Sequence, residues 1–273
     1  MFLHQCIIFL NRANCSLGTF VDELSQLRQS KEAETAQKTS TASSAFCCQQ
    51  NVCFLGIVIS STFGANLDAI LSLLDSAIGG RRLSQISAIG VGNFCESRFN
   101  GSSQVALLLI LMEHFKCDVR FREPFITPNE KEWLNSKGVQ VERCSDLLER
   151  LFVDEKDESA MCLCYMPHCG HALYNSVIYA HRDACDIRRL IIFGNNLQDM
   201  QIAKSHANEL DAICEYRKYC ETISVPPFDE VPSAFNDTAI HFLKSDSTIP
   251  KIPDRIPQYD YYASEIVINS SEL

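Results

Sequence analysis

The sequence has too little positive charge for a protein whose main task is to hold nucleic acid. It contains 24 Lys and Arg residues against 34 Asp and Glu residues, which gives a net charge of −10 and a sequence pI near 5.2. A groove that follows a phosphate backbone needs clustered Lys and Arg side chains. This balance argues against nucleic acid as a partner. It does not argue against protein partners or against a small ligand held by backbone amides.

Long apolar segments are also lacking, and we expect no secretory leader. The apolar run from Val52 to Phe63 is shorter than the roughly 20 residues that a transmembrane helix needs. The apolar opening MFLHQCIIFL has no basic stretch before it and no small-residue cleavage site after it. We therefore expect a soluble protein that does not use a membrane.

The 14 cysteines include no C-x-x-C pair. Several of them lie inside apolar runs, namely Cys53, Cys162, Cys164 and Cys214. Buried free thiols pack as small hydrophobic groups, and the cytosol and nucleus keep thiols reduced. The pattern predicts free cysteines in a cytoplasmic and nuclear protein rather than the disulfides of a secreted one.

Composition divides the chain into four segments. Residues 1–50 form an N-terminal segment that ends in a loosely ordered linker rich in Ser, Thr, Gln, Lys and Glu. Residues 51–83 are predicted as a leading strand and helix, and residues 84–245 as the main domain. Residues 246–273 form a tail rich in proline and tyrosine.

Short apolar strands alternate with helices along the main domain. Strands are predicted at residues 86–93, 118–124, 139–144, 159–167 and 188–195, and helices at 102–115, 127–138, 145–152, 171–182 and 197–219. Such alternation is typical of a mainly parallel sheet with helices on both faces. The predicted fold is therefore α/β, a Rossmann-like, doubly wound layer.

The helix predicted at 127–138 has the clearest boundaries. Thr127 suits the N-cap, Pro128 the first position, and Glu130 the third position of a capping box. Gly138 then ends the helix.

Ligands of open α/β sheets bind at the carboxyl ends of the strands. The first strand is followed by Gly90, Gly92 and Asn93, which allow a tight turn with bare amides close to a helix start. A full G-x-G-x-x-G is absent, so both a nucleotide-like ligand and an ordinary tight turn remain open. Glu123 ends the second strand, where it is either an acceptor for ribose hydroxyls or a solvated carboxylate.

The stretch CYMPHCGH, residues 164–171, allows three interpretations. Its cysteines and histidines resemble metal ligands, but they are too crowded in sequence to converge easily on zinc. Cys169 beside His168 could form a thiolate–imidazole pair, yet no third orienting residue is identifiable. We favour a third interpretation, in which Pro167 ends the strand and His168 and Cys169 form a wall of a ligand crevice.

Five motifs occur in the order found in one known family. They are IGVGNF with SR and QVALLLIL after it (Ile89 to Leu111), EPF with T-x-x-E (Glu123 to Glu130), YMPHC with LY (Tyr165 to Tyr174), IIFGN (Ile191 to Asn195) and AFNDTAIHF (Ala234 to Phe242). In these motifs the chain resembles the sensitivity-to-red-light-reduced family from about Ser84 to Lys244. One departure is Glu123, where the family usually has Asp; the longer side chain would shift any ribose contact.

The resemblance implies a regulatory protein of cytoplasm and nucleus that acts through protein partners. Family members are linked to circadian clock-gene expression, to haem biosynthesis and to cytoskeletal stability, without an agreed activity, so the cofactor stays unknown. The positions that match the family's rim residues are Gly90, Gly92, Asn93, Arg98, Pro167, His168, Cys169, Gly194 and Asn195.

Two functions therefore remain in competition. The first is a regulatory protein, with a small ligand in the crevice at the strand ends. The second is a nucleotide- or S-adenosylmethionine-dependent transferase, with the Gly90 loop under the cofactor and Glu123 on its ribose. The sequence favours the first, because no set of acid, base and nucleophile is assembled, although a transferase can work mainly by positioning.

Overall fold

The structure, a computed structural model, describes residues 64–94, 100–144, 146, 148–151, 157, 159–228 and 231–267. Its helices are α1 (Gly64–Ile78), α2 (Asn100–Phe115), α3 (Pro128–Ser136), α4 (His171–Ala180), α5 (Ala184–Ile187), α6 (Asp211–Tyr216) and α7 (Pro232–Phe235). Its strands are β1 (Leu83–Ile89), β2 (Asp118–Arg122), β3 (Gln140–Glu142), β4 (Met161–Met166), β5 (Leu190–Asn195), β6 (Glu221–Ser224) and β7 (Thr238–Phe242). Lys204–Leu210 and Ala263–Glu265 are 3₁₀ helices.

The strands form one sheet in the order β3-β2-β1-β4-β5-β7-β6. Strands β1 to β5 pair in parallel, and β7 runs antiparallel to its two neighbours, β5 and β6. The strand order reverses between β1 and β4, which are adjacent. A crevice forms beyond the carboxyl ends of strands at such a reversal. The mainly parallel, doubly wound α/β sheet predicted from the sequence is confirmed.

Helices cover both faces of the sheet. Alternate residues of β4 point to opposite faces: Leu163 belongs to the hydrophobic cluster of α1, α2 and α3, and Cys164 to that of α4 and α6. Cys162 and Cys164 are fully buried, free thiols. In this face of the sheet cysteine acts as a small hydrophobic residue, as predicted. Among the described residues, no helix is long and apolar enough to cross a membrane.

Helix α3 begins as its sequence predicts. The Thr127 hydroxyl accepts the Glu130 amide, the Glu130 carboxylate accepts the Thr127 amide, and Pro128 occupies the first position. Gly138 follows the helix with φ +84°, a left-handed conformation that glycine adopts without strain. The capping box is therefore confirmed.

The long helix predicted at 197–219 is wrong in its first half. Residues 197–203 are not helical, and a 3₁₀ helix then changes to α6 at Asp211. The side chain of Asn175, from α4, lies at this change: its Oδ1 accepts the Ile213 amide and its Nδ2 donates to the Glu209 carbonyl. In a continuous helix, the Ile213 amide would instead donate to the Glu209 carbonyl. The short helix predicted at 145–152 is also wrong, because residues 146 and 148–151 are not helical.

The C-terminal tail crosses the face of the molecule that α4 and α6 form. Tyr259 hydrogen-bonds through its hydroxyl to Asn175 and Ser176. The Glu209 carboxylate accepts the backbone amides of residues 260, 261 and 262. These contacts fix the tail up to Tyr262, which is buried.

Candidate functional site

A cavity of about 250 Å³ lies at the carboxyl ends of β1, β2 and β4. We call it the rim cavity. The residues around it come from the loops after these strands, from the start of α4 and from the tail: Ile89, Gly90, Gly92, Arg122, Glu123, Pro124, Phe125, Cys144, His168, Cys169, Gly170, Leu173, Glu265, Ile266 and Val267. The cavity lies beside the reversal of strand order, where the fold predicts a ligand.

The glycine loop after β1 forms one wall. Gly90 and Gly92 both have left-handed backbones, with φ of +65° and +82°. A Cβ on Gly90 would lie 2.8 Å from the Cys169 sulfur, so only glycine lets this loop approach the loop after β4. The tight turn predicted from the sequence is present, and its backbone lines the cavity.

Glu123 is buried at the end of β2, with 4% of its surface exposed. Its Oε2 accepts the Gly92 amide at 2.7 Å, and its Oε1 accepts the Phe125 amide at 3.0 Å. Glu123 is therefore not a solvated strand-end carboxylate. Each carboxylate oxygen has further lone pairs, and because Glu123 lines the cavity, it can accept hydrogen bonds from a ligand.

Glu130 holds the glycine loop in place, a role that the sequence analysis missed. It is fully buried, and its Oε1 accepts the Phe94 amide at 2.7 Å. The ring of Phe94 packs against Phe121 and Trp133. The capping residue of α3 thus also fixes the end of the glycine loop. A capping box reveals such a residue in sequence, but not its second, long-range contact.

The loop after β4 has a strained backbone at His168, whose φ is +60°. The Asn195 side chain holds it, because Oδ1 accepts the His168 amide at 2.8 Å and Nδ2 donates to the Cys169 carbonyl at 3.2 Å. The His168 ring Nε2 lies 3.0 Å from the Ala234 carbonyl. His168 is therefore bonded to α7 through its ring and to β5 through its backbone.

Cys169 is a buried thiol and not a thiolate. Its sulfur donates to the Ile89 carbonyl at 3.2 Å. Burial, with a smaller contribution from the Glu123 charge, raises the pKa of this thiol far above its usual range. The thiolate is the reactive form, so the thiolate–imidazole interpretation does not fit. Among the described residues, no three His, Cys, Asp or Glu side chains are placed to share a metal ion.

Tyr174 joins the ends of β4 and β5. Its hydroxyl donates to the Met166 carbonyl and accepts the Asn195 amide at 2.7 Å. A Cβ on Gly194 would lie 2.2 Å from this hydroxyl oxygen. Gly194 therefore makes room for the tyrosine and does not reach the cavity itself.

Arg122 brings a paired charge to the cavity wall. Its side chain is 6% exposed and contacts Glu142 at 2.7 Å and Glu149 at 3.1 Å. Glu142 also pairs with Arg120. The positive charge of Arg122 is thus already compensated by two carboxylates, and it is not a free anchor for an anionic ligand.

The tail forms a further wall of the cavity, a contribution that the sequence analysis also missed. Glu265 reaches the start of α4, where it accepts the Ala172 amide at 3.0 Å and lies 3.0 Å from His171 Nδ1. Ile266 and Val267 continue along the wall. No local pattern in the tail points to this contact, since 94 residues separate Glu265 from His171.

The structure brings together half of the predicted site residues. Gly90, Gly92, Glu123, His168 and Cys169 line the cavity. Asn195 supports the loop after β4, in which Pro167 lies, and Gly194 makes room for Tyr174. Asn93 lies in the glycine loop without lining the cavity. Arg98 lies outside the described residues. Ligand contact at these positions stays a prediction.

Three comparisons place the chain among known proteins. The sequence pattern of the SRR1 domain matches residues 69–242. An SRR1-like protein of Mus musculus is 29% identical over 117 residues, which are 41% of this chain and 44% of that protein. Protein SENSITIVITY TO RED LIGHT REDUCED 1 of Arabidopsis thaliana is 22% identical over 185 residues, 63% and 64% of the two chains. The chain thus spans less than two thirds of either relative.

Solved structures give a more distant likeness. A mutant of MtNAS in complex with S-adenosylmethionine is 16% identical with a TM-score of 0.42, over 73% of this chain and 72% of that one. A TehB-like SAM-dependent methyltransferase from Corynebacterium glutamicum is 12% identical with a TM-score of 0.31, over 83% and 99%.

Proposed function

This chain belongs to the SRR1 domain family, and from that premise we propose that it is a regulatory protein that binds a small ligand in the rim cavity and acts through protein partners. One observation carries the ligand part. The cavity pairs an oriented, buried carboxylate, Glu123, with the backbone of a glycine loop. Such a site positions a molecule by hydrogen bonds and contains no activated nucleophile, since burial raises the pKa of both of its thiols, Cys144 and Cys169.

The cavity wall suggests the chemistry of the ligand. Glu123 accepts hydrogen bonds, so it suits a ligand with hydroxyl groups. Phe125, 64% exposed, stands at the cavity as a flat apolar surface, and Ile89 and Leu173 add apolar contacts. A molecule with a hydroxylated part and a flat ring, such as a nucleoside, satisfies both kinds of wall.

The proposed biological setting is regulation of circadian clock-gene expression, and of haem biosynthesis, in cytoplasm and nucleus. The family membership supports it, as does the Arabidopsis relative, whose name refers to sensitivity to red light. The free thiols among the described cysteines support a reducing compartment. The partners on which the protein acts are proposed to be proteins, because the net charge of −10 does not suit nucleic acid.

A second candidate function is a nucleotide- or S-adenosylmethionine-dependent transferase. The position of Glu123 favours it, because an acid at the end of the second strand is where dinucleotide folds bind ribose hydroxyls. In this chain Glu123 would hold the ribose and the glycine loop would lie under the rest of the cofactor.

A thermal-shift screen of the full chain tests the ligand. The probes are adenosine nucleotides, S-adenosylmethionine, S-adenosylhomocysteine and haem. A ligand at about a hundred times its Kd adds about 2.7 kcal/mol of stability. We expect a nucleoside-containing probe to raise Tm by several degrees, and Glu123→Gln to abolish that shift. Glu221→Gln, which changes a carboxylate on the edge strand β6, is the matched control.

The outcomes separate the two functions. A shift that Glu123→Gln abolishes and Glu221→Gln preserves supports the cavity as the ligand site. Transfer of a labelled methyl group from S-adenosylmethionine to a cell extract would then favour the transferase, and its absence the regulatory protein. If none of the probes shifts the melt, the proposed nucleoside-type ligand is rejected.

A further inference from the structure

The last described residues of the tail cover the rim cavity. Ala263–Glu265 form a 3₁₀ turn, and Glu265, Ile266 and Val267 line the cavity. The volume of about 250 Å³ is below the 300–1,000 Å³ typical of ligand pockets. Movement of these residues away from the cavity wall would enlarge the space that a ligand can occupy.

The attachment of these residues differs from that of the tail before them. Residues up to Tyr262 are held by the Glu209 carboxylate and by the hydroxyl of Tyr259. After Tyr262, Glu265 bonds to the start of α4 and is 27% exposed, and Ile266 packs, partly buried, against the hydrophobic cluster of α4 and α6. Val267, at the end, is 43% exposed. The boundary between firm and light attachment therefore lies at Tyr262.

Helix α4 depends on this contact for its first turn. Its N-cap is Gly170, which has no side chain to accept an amide. The Glu265 carboxylate accepts the Ala172 amide instead. A carboxylate at a helix start is favourable, but it is an intramolecular contact that an opened tail can exchange for water. Glu265 also packs on Gly170, where a Cβ would lie 2.7 Å from Glu265 Cβ.

We propose that residues 263–267 form a lid that opens at Tyr262 to admit ligand to the rim cavity, with Glu265 as the residue that holds it closed. The lid rests on the proposed function, since a lid regulates access only if the cavity binds a ligand. Its opening is nevertheless measurable without any ligand, because the lid also covers a thiol. Cys144 lines the cavity, is 6% exposed and lies 3.9 Å from the Val267 carbonyl.

The test is the rate at which iodoacetamide labels each cysteine of the full chain, followed by mass spectrometry of the peptides. Glu265→Gln keeps the shape of the side chain and removes its charge. We expect it to raise the labelling rate of Cys144 about twofold, the change expected when a partly exposed, charge-assisted contact is weakened. Gly170→Ala, which displaces Glu265 by contact rather than by charge, should act in the same direction.

Two sets of controls make the result specific. Glu221→Gln should leave the Cys144 rate unchanged. Cys162 and Cys164, fully buried in β4, should stay unlabelled in every variant, which shows that the fold is intact. Exposed Cys185 gives the rate of a free thiol in each sample.

A chain that ends after Tyr262 gives the upper limit of Cys144 labelling. If that chain labels Cys144 no faster than the wild type, residues 263–267 do not cover the cavity and the lid is rejected. If Glu265→Gln leaves the rate unchanged while the shortened chain raises it, Glu265 does not hold the lid, and that part of the proposal is overturned. If Cys162 becomes reactive in the shortened chain, that chain has lost its fold. The lid is then tested by the Cys144 labelling rates of Glu265→Gln and Gly170→Ala alone. A failed ligand screen with a confirmed lid would reject the tested ligand class only.

Discussion

Helices α3 and α4 each follow a loop that lines the rim cavity, and they obtain the first-turn acceptor in opposite ways. Helix α3 uses its own Thr127 and Glu130, and Glu130 is fully buried. Helix α4 has Gly170 at its N-cap and uses Glu265 from the tail, a side chain that is 27% exposed. The local, buried acceptor fixes the glycine loop, whereas the distant, partly exposed one can leave. The difference separates a rigid wall of the site from a movable one.

Among substitutions in the rigid wall, Glu130→Ala should cause the largest loss in the free energy of unfolding. The carboxylate accepts the buried amide of Phe94 and the partly buried amide of Thr127, and truncation removes the acceptor of both donors. We expect a loss of about 4 kcal/mol in the free energy of unfolding, measured by urea denaturation. Glu130→Gln, which keeps an acceptor oxygen, is the control and should lose less. A loss below about 1 kcal/mol for Glu130→Ala would show that this wall is not rigid.

The free energy of unfolding also depends on pH, and this dependence decides the pH at which the two helix starts should be compared. Burial lowers the pKa of His241 to about 4 from the ordinary value of 6.5. Because the folded value is the lower one, the unfolded chain binds the proton first as the pH falls. This contribution to stability is complete above pH 6.5 and is lost between pH 6.5 and 4, by about 3 kcal/mol.

The measurement for His241 is the free energy of unfolding in urea at a series of pH values. His241→Gln should be less stable than the wild type at pH 7, and its stability should fall less steeply between pH 6.5 and 4. Equal slopes for the two proteins would contradict the assignment to His241. Comparisons of the two helix starts belong above pH 6.5, where this loss does not contribute.

Removing only the N-cap of α3 gives a smaller effect. Thr127→Ala deletes the hydroxyl that accepts the Glu130 amide but leaves the Glu130 carboxylate on Phe94. We expect a loss of about 1 kcal/mol in the free energy of unfolding. Thr127→Ser, which keeps the hydroxyl, should be near the wild type. A Thr127→Ala loss as large as that of Glu130→Ala would mean that the contact to Phe94 contributes little.

A substitution in the movable wall, Glu265→Gln, should have the smallest effect on stability. Glu265→Gln weakens contacts to His171 and Ala172 that are partly exposed, so solvent screens much of their energy. We expect a loss of about 0.5 kcal/mol in the free energy of unfolding, again by urea denaturation. A loss above about 2 kcal/mol would place Glu265 among the rigid contacts and would contradict a lid.

The same contrast explains how much could be predicted from the sequence. The capping box of α3 lies within four consecutive residues, and its prediction is confirmed. The mainly parallel, doubly wound sheet is confirmed as well, because apolar runs and helical spacing are local patterns. The predicted helix at 197–219 fails in its first half, where Asn175 from α4 replaces a backbone partner. Glu265 was missed for the same reason, since its contact depends on the folded path of the tail.

The site residues show this limit in another form. Gly90 and Glu123 were identified from the rule that strand ends gather at one edge, and both line the cavity. Asn195 was selected by resemblance as a rim residue, yet it holds the His168 backbone in place. A motif position therefore predicts that a residue belongs near the site, but only the hydrogen-bond partner distinguishes a wall from its support.

The antiparallel strand β7 has a consequence for the order in which the protein is made. In the finished sheet β7 lies between β5 and β6, although it follows both in the chain. As the polypeptide leaves the ribosome, β5 therefore emerges with the edge that will face β7 still unpaired, and it stays so until Thr238–Phe242 have been synthesised. An open edge of apolar residues invites pairing with a neighbouring chain. A nascent chain that stalls between β6 and β7 is thus prone to aggregate through this edge.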